Sequence, residues 1–278
     1  MTSGRNGLAA PFRVTISGEV MSGVAVSHRI PPRAARAQAL IGLSLATLIL
    51  GAWLSLHVYA LFVFTLDWQT LPAALIMAVV QCWLSVGLFI VSHDAMHGSL
   101  APGRPRLNSA IGATLLFLYA GFVWSRMRDA HHAHHRHAGR SGDPDFDEDH
   151  PTRFWRWYAT FIRRYFGIRS VLFVSTVVTL YWLVLGVPMA QIVLLYGLPA
   201  IASSLQLFYF GTWRPHNHCG GAFADHHNAR SDGLGVLASL ASCFHFGYHH
   251  EHHLAPGVPW WRLPSHRHAV VQREPARA

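Results

Sequence analysis

From Ala37 to Ser92 the only charged side chain is Asp67, and from Ser170 to Trp213 there is none. Each run is too long for one bilayer crossing, and each is broken near its middle. Thr65-Leu66-Asp67-Trp68-Gln69, with Pro72 after it, breaks the first; Gly186-Val187-Pro188 breaks the second. The halves are roughly 20 residues long, the length a helix needs to cross the hydrocarbon core. The pattern therefore predicts two helical hairpins, with spans near residues 38–64, 71–92, 170–187 and 190–212. A shorter apolar stretch, Leu107–Val123, has Arg104 and Arg106 before it and Arg126 and Arg128 after it. Basic flanks on both sides mark it as a re-entrant or interfacial helix over 107–123. The expected fold class is an all-α integral membrane protein: four transmembrane helices in two hairpins, with a cytoplasmic helical cap. The membrane domain covers 37–264. Before it lies an arm, 1–36, rich in Gly, Ser and Arg and without the apolar core of a signal peptide. It reads as flexible and cytoplasmic, with Met21 a second candidate start beside Met1. A C-terminal tail, 265–278, closes the chain.

A net charge of +9 would fit a nucleic-acid binder, but 51% hydrophobic and only 13% charged residues do not. Basic groups at a membrane surface account for both figures. Every basic residue is an arginine. Arg29, Arg33 and Arg36 precede the first span, Arg104 through Arg169 lie between the hairpins, and Arg214 and later ones follow the fourth. The turns inside the hairpins carry none, so the positive-inside rule puts both termini and the middle loop in the cytoplasm of a cell bounded by this inner (plasma) membrane. Cys82, Cys219 and Cys243 make no CxxC pair and suit buried structural roles.

The chemistry lies in the histidines, 21 in all. Five occur in Phe244-His245-Phe246-Gly247-Tyr248-His249-His250-Glu251-His252-His253. Others form His93-Asp94-Ala95-Met96-His97 and His131-His132-Ala133-His134-His135-Arg136-His137. His93 and His97 are one helical turn apart at the end of a span. His131, His134 and His135 have i, i+3, i+4 spacing, as do His249, His252 and His253, so each triplet can present three imidazoles from one face. Eight imidazoles are too many for one four-coordinate ion and point to a two-metal site. All fall on the cytoplasmic side of the arginine-defined topology. A zinc protease would need His-Glu-x-x-His, which Glu251 between His250 and His252 does not supply. A thiolate-free, imidazole-rich site suits borderline metals, with iron the redox-active choice. Copper stays chemically open, although Met96 is the only methionine near a cluster. A lone His-x-x-x-His pair on an apolar helix is more often coincidence than a ligand pair. Three clusters at the same membrane side, framed by Trp124, Phe244, Tyr248, Trp260 and Trp261, are not the low-complexity tract of a metal-sequestering tail.

Three histidine boxes on this scaffold resemble the membrane fatty-acid desaturase/hydroxylase superfamily and, within it, the bacterial carotenoid 4,4′-ketolases. The likeness runs from about Arg36 to Pro264. It is carried by Ser92-His93-Asp94-Ala95-Met96-His97-Gly98, Gly142-Asp143-Pro144-Asp145-Phe146, Asp225-His226-His227-Asn228-Ala229-Arg230-Ser231, and Phe244 through Pro264. The resemblance implies that two ferrous ions are held by His93, His97, His131, His134, His135, His249, His252 and His253. A further histidine from outside the boxes is also implied, with His227 favoured over His226. In the crowded second box, a register using His132 and His135 remains open; His218 and His245 are reserves. Asp143, Asp145 and Asp225 are expected to orient ligand imidazoles, with turn capping by Asp143 as the plain alternative.

The implied activity is O2-dependent oxidation of β-ionone rings at C4 and C4′, β-carotene to echinenone to canthaxanthin. Two hydroxylations followed by loss of water give each ketone. No flavin, haem or iron–sulfur motif is visible, so electrons are expected from a separate ferredoxin-type donor. The carotenoid would come from the bilayer, through a channel for which Gly87, Gly112, Gly121 and Phe208 are expected lining. The basic, aromatic segment Arg153–Arg169 reads as lipid contact more readily than as a donor dock. Two alternatives remain: an acyl-lipid desaturase or hydroxylase with the same boxes, and a membrane metal carrier or sensor without catalysis.

Overall fold

A computed structural model of the chain describes residues 30–273; the expectations for an arm before Ile30, and for a start at Met21, lie outside the described residues. Among the described residues all regular structure is helical. Helix α1 (Pro32–Phe62) and α2 (Leu71–Met96) form the first hairpin. Its turn is closed by Asp67, whose Oδ1 accepts the N–H groups of Gln69 and Thr70 at 2.8 Å each, the side-chain mimicry of a turn at which Asp excels. Pro72 then sits at the start of α2, where its missing N–H costs nothing.

Helix α3 (Pro105–Ala120) stops at Gly121, which adopts a left-handed φ of 68°, and the chain turns by 100° into α4 (Trp124–His137). Similarly, α5 (Phe154–Tyr165) meets α6 (Ile168–Val184) at 85°. Helix α7 (Met189–His216) follows. Two of its turns, Val193–Gly197 and Tyr209–Trp213, are π-helical, and each lies just ahead of a proline, Pro199 and Pro215. A proline ring displaces the carbonyl four residues earlier, and a widened turn accommodates it. Three short helices complete the chain: α8 (Val236–Cys243), α9 (His249–Leu254) and α10 (Leu263–Arg273). The last of these occupies much of the segment expected to be a tail.

Helices α1, α2 and α7 are long and apolar enough to cross a bilayer; the two bent pairs qualify only if each is counted as one span. The stretch expected as a third straight span is α6, which at about 1.5 Å per residue reaches only about 25 Å against the roughly 30 Å of a hydrocarbon core. Helix α2 is central and packs on α1, α3 and α7. Its C-terminal half is buried, from Leu84 through Met96 with Phe89 the exception. Side chains such as Leu40, Leu48 and Val79 are about two-thirds exposed, as lipid-facing positions require. Two buried glutamines within this apolar body are paired: Gln38 donates to the carbonyl of Ser99 at 2.7 Å and Gln191 to that of Ala60 at 2.6 Å. The Ala60 carbonyl is one left free at the end of α1 and the Ser99 carbonyl lies in the turn after α2; hydrocarbon could satisfy neither.

Two of the glycines expected to line a channel, Gly87 and Gly112, do something else. A Cβ on Gly112 would lie 2.1 Å from Trp124, and one on Gly87 would lie 2.8 Å from Phe244. Both are close-contact positions that let large aromatics seat the histidine-bearing segments. Phe208 is fully buried, packed with Phe146 and Trp157.

Candidate metal centre

The C-terminal ends of α2 and α7 converge with α4 and α9 at one end of the helical body. Each contributes histidine for a local reason. Gly121 turns the chain so that α4 presents its histidines beneath α2. Phe244 and His245 both take positive φ, 50° and 63°, and reverse the chain between α8 and α9. Non-glycine residues in this region are strained and persist only under tight packing. Here Phe244 stacks on Trp83 at 4.3 Å, and His245 stacks on Tyr248 at 5.7 Å.

The ring nitrogens fall into two sets, the donor atoms of each lying within 4.8 Å of one another. The first comprises His93, His97, His131, His135 and His252; the second comprises His134, His216, His249 and His253. Helical geometry explains the division. In each box the i and i+4 partners (93 and 97, 131 and 135, 249 and 253) join the same set. The i+3 residue, rotated to the other side of that stripe, joins the other set. The sets abut, for the His135 and His253 rings stack at 4.2 Å.

The donor set fits metal ions. Nitrogens bound to one ion at about 2.1 Å and near right angles lie about 3 Å apart. The Nε2 atoms of His97 and His131 are 2.7 Å apart, those of His135 and His252 3.0 Å, and those of His249 and His253 3.1 Å. Moreover, the Nε2 atoms of His93, His134 and His216 are buried with no hydrogen-bond partner. Each such orphan costs about 1–3 kcal/mol, a cost that a cation taking the lone pairs would remove. Burial holds His249, His252 and His253 well below the usual imidazole pKa, with the neighbouring imidazoles adding to the effect. They are therefore neutral donors at physiological pH. No cysteine belongs to either set.

Ring orientation is fixed from behind. His134 donates its Nδ1–H to Asp143, 3.0 Å from both carboxylate oxygens, and Asp145 is 3.7 Å from the same nitrogen. His216 donates Nδ1–H to the carbonyl of Asn228 at 2.7 Å. Such partners set the tautomer and aim the opposite nitrogen.

The fatty acid desaturase model matches residues 66–174 and 150–277, most of the described chain. The chain belongs to the fatty acid desaturase family. Among its relatives in that family, a beta-carotene ketolase of Paracoccus sp. (strain N81106) is 54% identical over 224 residues, 79% of this chain and 89% of that protein. A second, from Paracoccus sp. (strain PC1), is 50% identical over 82% of this chain and 93% of that protein. The zeaxanthin 4-ketolase of Chlamydomonas reinhardtii is 34% identical, covering 81% of this chain and 53% of that protein.

Within this family member, eight of the nine histidines singled out from the sequence lie in the two sets. His227 does not. Its ring is 6.1 Å from that of His253, and it groups instead with Asp225 and His226. The residue completing the second set is His216, which sequence reasoning overlooked. Its signal was positional: it ends a span, as His93 does. His132 points away, its Nε2 3.1 Å from the Met96 carbonyl. His218 faces the carbonyl of Gly139 at 3.0 Å. His245 belongs to neither set. Of the three carboxylates, Asp143 meets a set member directly and Asp145 flanks it. Asp225 instead accepts from His250 at 2.9 Å, outside both sets. Asp94 and Glu251 do structural tasks: Asp94 receives the N–H of Trp260 at 3.1 Å, and Glu251 pairs with Arg267 at 3.1 Å.

Proposed function

We propose that the chain is an oxygenase that places keto groups at C4 and C4′ of β-ionone rings, taking β-carotene through echinenone to canthaxanthin. The observation that carries this reading is the pair of imidazole sets, one half-buried and one buried, on a chain that matches ketolases over about four-fifths of its length. The five-histidine and four-histidine sets would each hold one ferrous ion, with His216 rather than His227 as the ninth donor. Bound there, the two ions would supply O2 reduction and the hydroxylation of an allylic C–H bond, chemistry that side chains alone lack.

The protein's own groups set the conditions. Asp143 and the Asn228 carbonyl hold His134 and His216 in the tautomer that offers Nε2. Phe246, against His93 at 4.9 Å and His249 at 5.0 Å, walls the chamber with apolar surface and keeps water from competing. Each hydroxylation consumes one O2, two electrons and two protons and releases one water. A second round at the same carbon gives a geminal diol that loses water to the ketone. The electrons come from a separate ferredoxin-type donor. The arginine distribution supports an inner-membrane protein whose termini and histidine sets face the cytoplasm.

Expression in a host that accumulates β-carotene tests the reading, with pigment analysis and iron content of the purified protein. Echinenone and canthaxanthin with about two irons per chain are expected. Iron without either ketone would point to the acyl-lipid branch of the family, and exchangeable metal without oxygen uptake to a carrier. The same assay in a zeaxanthin-producing host determines whether hydroxylated rings are accepted.

A further inference from the structure

Two cavities lie end to end beside the histidine sets. The inner one, about 50 Å³, is lined by His93, His131, His134 and His249; it has room for a few water molecules and no more. The outer one, about 160 Å³, lies where both bent helix pairs bend, lined by Gly121–Val123 on one side and Gly167–Ser170 on the other. Met127 and Tyr165 line both, so these two side chains are the partition between them.

The partners differ in freedom. Tyr165 is tethered, its hydroxyl donating to Asp145. The Met127 side chain makes no hydrogen bond and has three rotatable torsions, the property that lets methionine reshape apolar sites. It lies one turn before His131 on α4 and so shares that residue's face. Arg126 donates across the cleft to the Arg164 carbonyl at 2.8 Å, holding the two bends at a fixed separation. Around the mouth, Ile168 is 71% exposed and Phe117 is 55% exposed, with Arg126 and Arg169 on the cavity wall. This is the mixture of apolar and cationic groups found at a membrane interface.

We infer that the outer cavity receives the terminal ring of the carotenoid and that Met127 swings aside to admit it to the histidine chamber; this rests on the ketolase reading. The polyene stays in the lipid at the mouth while the ring passes inward between the bends. A larger groove, about 710 Å³, lies between α2, α7 and α8, but it has no histidine in its lining and shares no residue with the inner chamber.

Gly167 allows a clean test, because its φ is −87° and an added Cβ would meet no atom within 4 Å. The backbone therefore tolerates Gly167→Trp, which would place an indole in the mouth, away from every ligand. In a β-carotene-producing host it should lower total ketone at least tenfold. β-Carotene retained by the purified protein should fall in parallel while iron per chain stays at the wild-type value. Ala202→Trp, in the larger groove, should change none of these. Met127→Ala should raise the ratio of canthaxanthin to echinenone, because the second ring must pass the same partition. Wild-type ketone and retention in Gly167→Trp, or their loss in Ala202→Trp alone, would overturn the route. If the wild-type chain makes no ketone, the proposed function fails, and β-carotene retention by the same variants still decides where the ring binds.

Discussion

The Nδ1–H of His134 points between the two carboxylate oxygens of Asp143, 3.0 Å from each. The carboxylate is itself immobilised by the N–H groups of Gly139 and Asp145 at 2.8 Å each. Burial works to raise the Asp143 pKa, but the adjacent His134 and these donors hold it below the ordinary carboxylate value, so the group is an ionised acceptor. Removing a carboxylate behind a ligand imidazole typically costs 10–100-fold in metal affinity or activity. Asp143→Asn should therefore lower iron retention on dialysis against a chelator and slow ketone formation by about that factor. Unchanged retention and rate would reduce Asp143 to a turn-forming residue.

The identity of the ninth donor is decided by two substitutions. His216→Ala removes a buried imidazole whose Nε2 faces the second set, and should take iron from about two per chain to about one and abolish ketone. His227→Ala, outside both sets, should leave the iron content unaltered. The opposite pattern in elemental analysis would restore the sequence-based choice of His227.

The difference between these two histidines shows what the sequence could convey. Periodicity located the boxes, because i, i+3, i+4 spacing is a local property of a helix. Charge-free runs likewise located α1, α2 and α7, since runs of that length have few alternatives, whereas the third expected span is the shorter α6 of a bent pair. Periodicity could not divide each triplet between the two sets, because that depends on how α2, α4 and α9 approach one another. His216 was hidden for another reason: unlike His93, which has His97 one turn on, it has no histidine three or four residues away to mark it. Asp225 misled in the other direction. It sits beside His227 in a family-like stretch, yet the fold pairs it with His250. Gly87 and Gly112 looked like channel lining on size alone, whereas the aromatics packed on them, Phe244 and Trp124, show that they are seats.

Gly112 makes that point testable. The indole of Trp124, the first residue of α4, occupies the space a Cβ would need, and α4 carries His131, His134 and His135. Gly112→Ala should displace the start of α4, at about 1–3 kcal/mol, the usual cost of overpacking. A lower midpoint of thermal denaturation in detergent, together with reduced iron content, is the expected result. Pairing with Trp124→Leu should recover part of both.

His245 gives a pH dependence separate from the metal. Burial pushes its pKa down from 6.5 to about 4, so between those values the unfolded chain takes up a proton that the folded chain refuses. Stability then rises with pH in this window and is lost as pH falls, by up to about 1.4 kcal/mol per unit. His245→Asn keeps a residue that tolerates the observed positive φ and removes the titration. The difference in melting temperature between variant and wild type should change from pH 6.5 to pH 4 and stay constant from pH 7 to pH 8. A constant difference throughout would show that the imidazole titrates normally in the fold.

His252 and His253 are neighbours in sequence that face different sets. His252 lies with His135, Nε2 to Nε2 at 3.0 Å, and His253 lies with His249 at 3.1 Å. One turn of α9 therefore stands between the two sets and gives one imidazole to the first and two to the second. Each single alanine substitution should cost one iron and all ketone formation, since O2 reduction needs both ions. The two half-loaded proteins should differ in their surviving ion, which keeps the four imidazoles of the second set, beside α7, in His252→Ala and the five of the first set, beside α2, in His253→Ala. Isotopic iron loading with Mössbauer spectra would show two distinct ferrous sites, one in each variant, whose sum reproduces the wild type. Identical spectra from the two variants would mean that both histidines serve one ion, and the two-set division would fail.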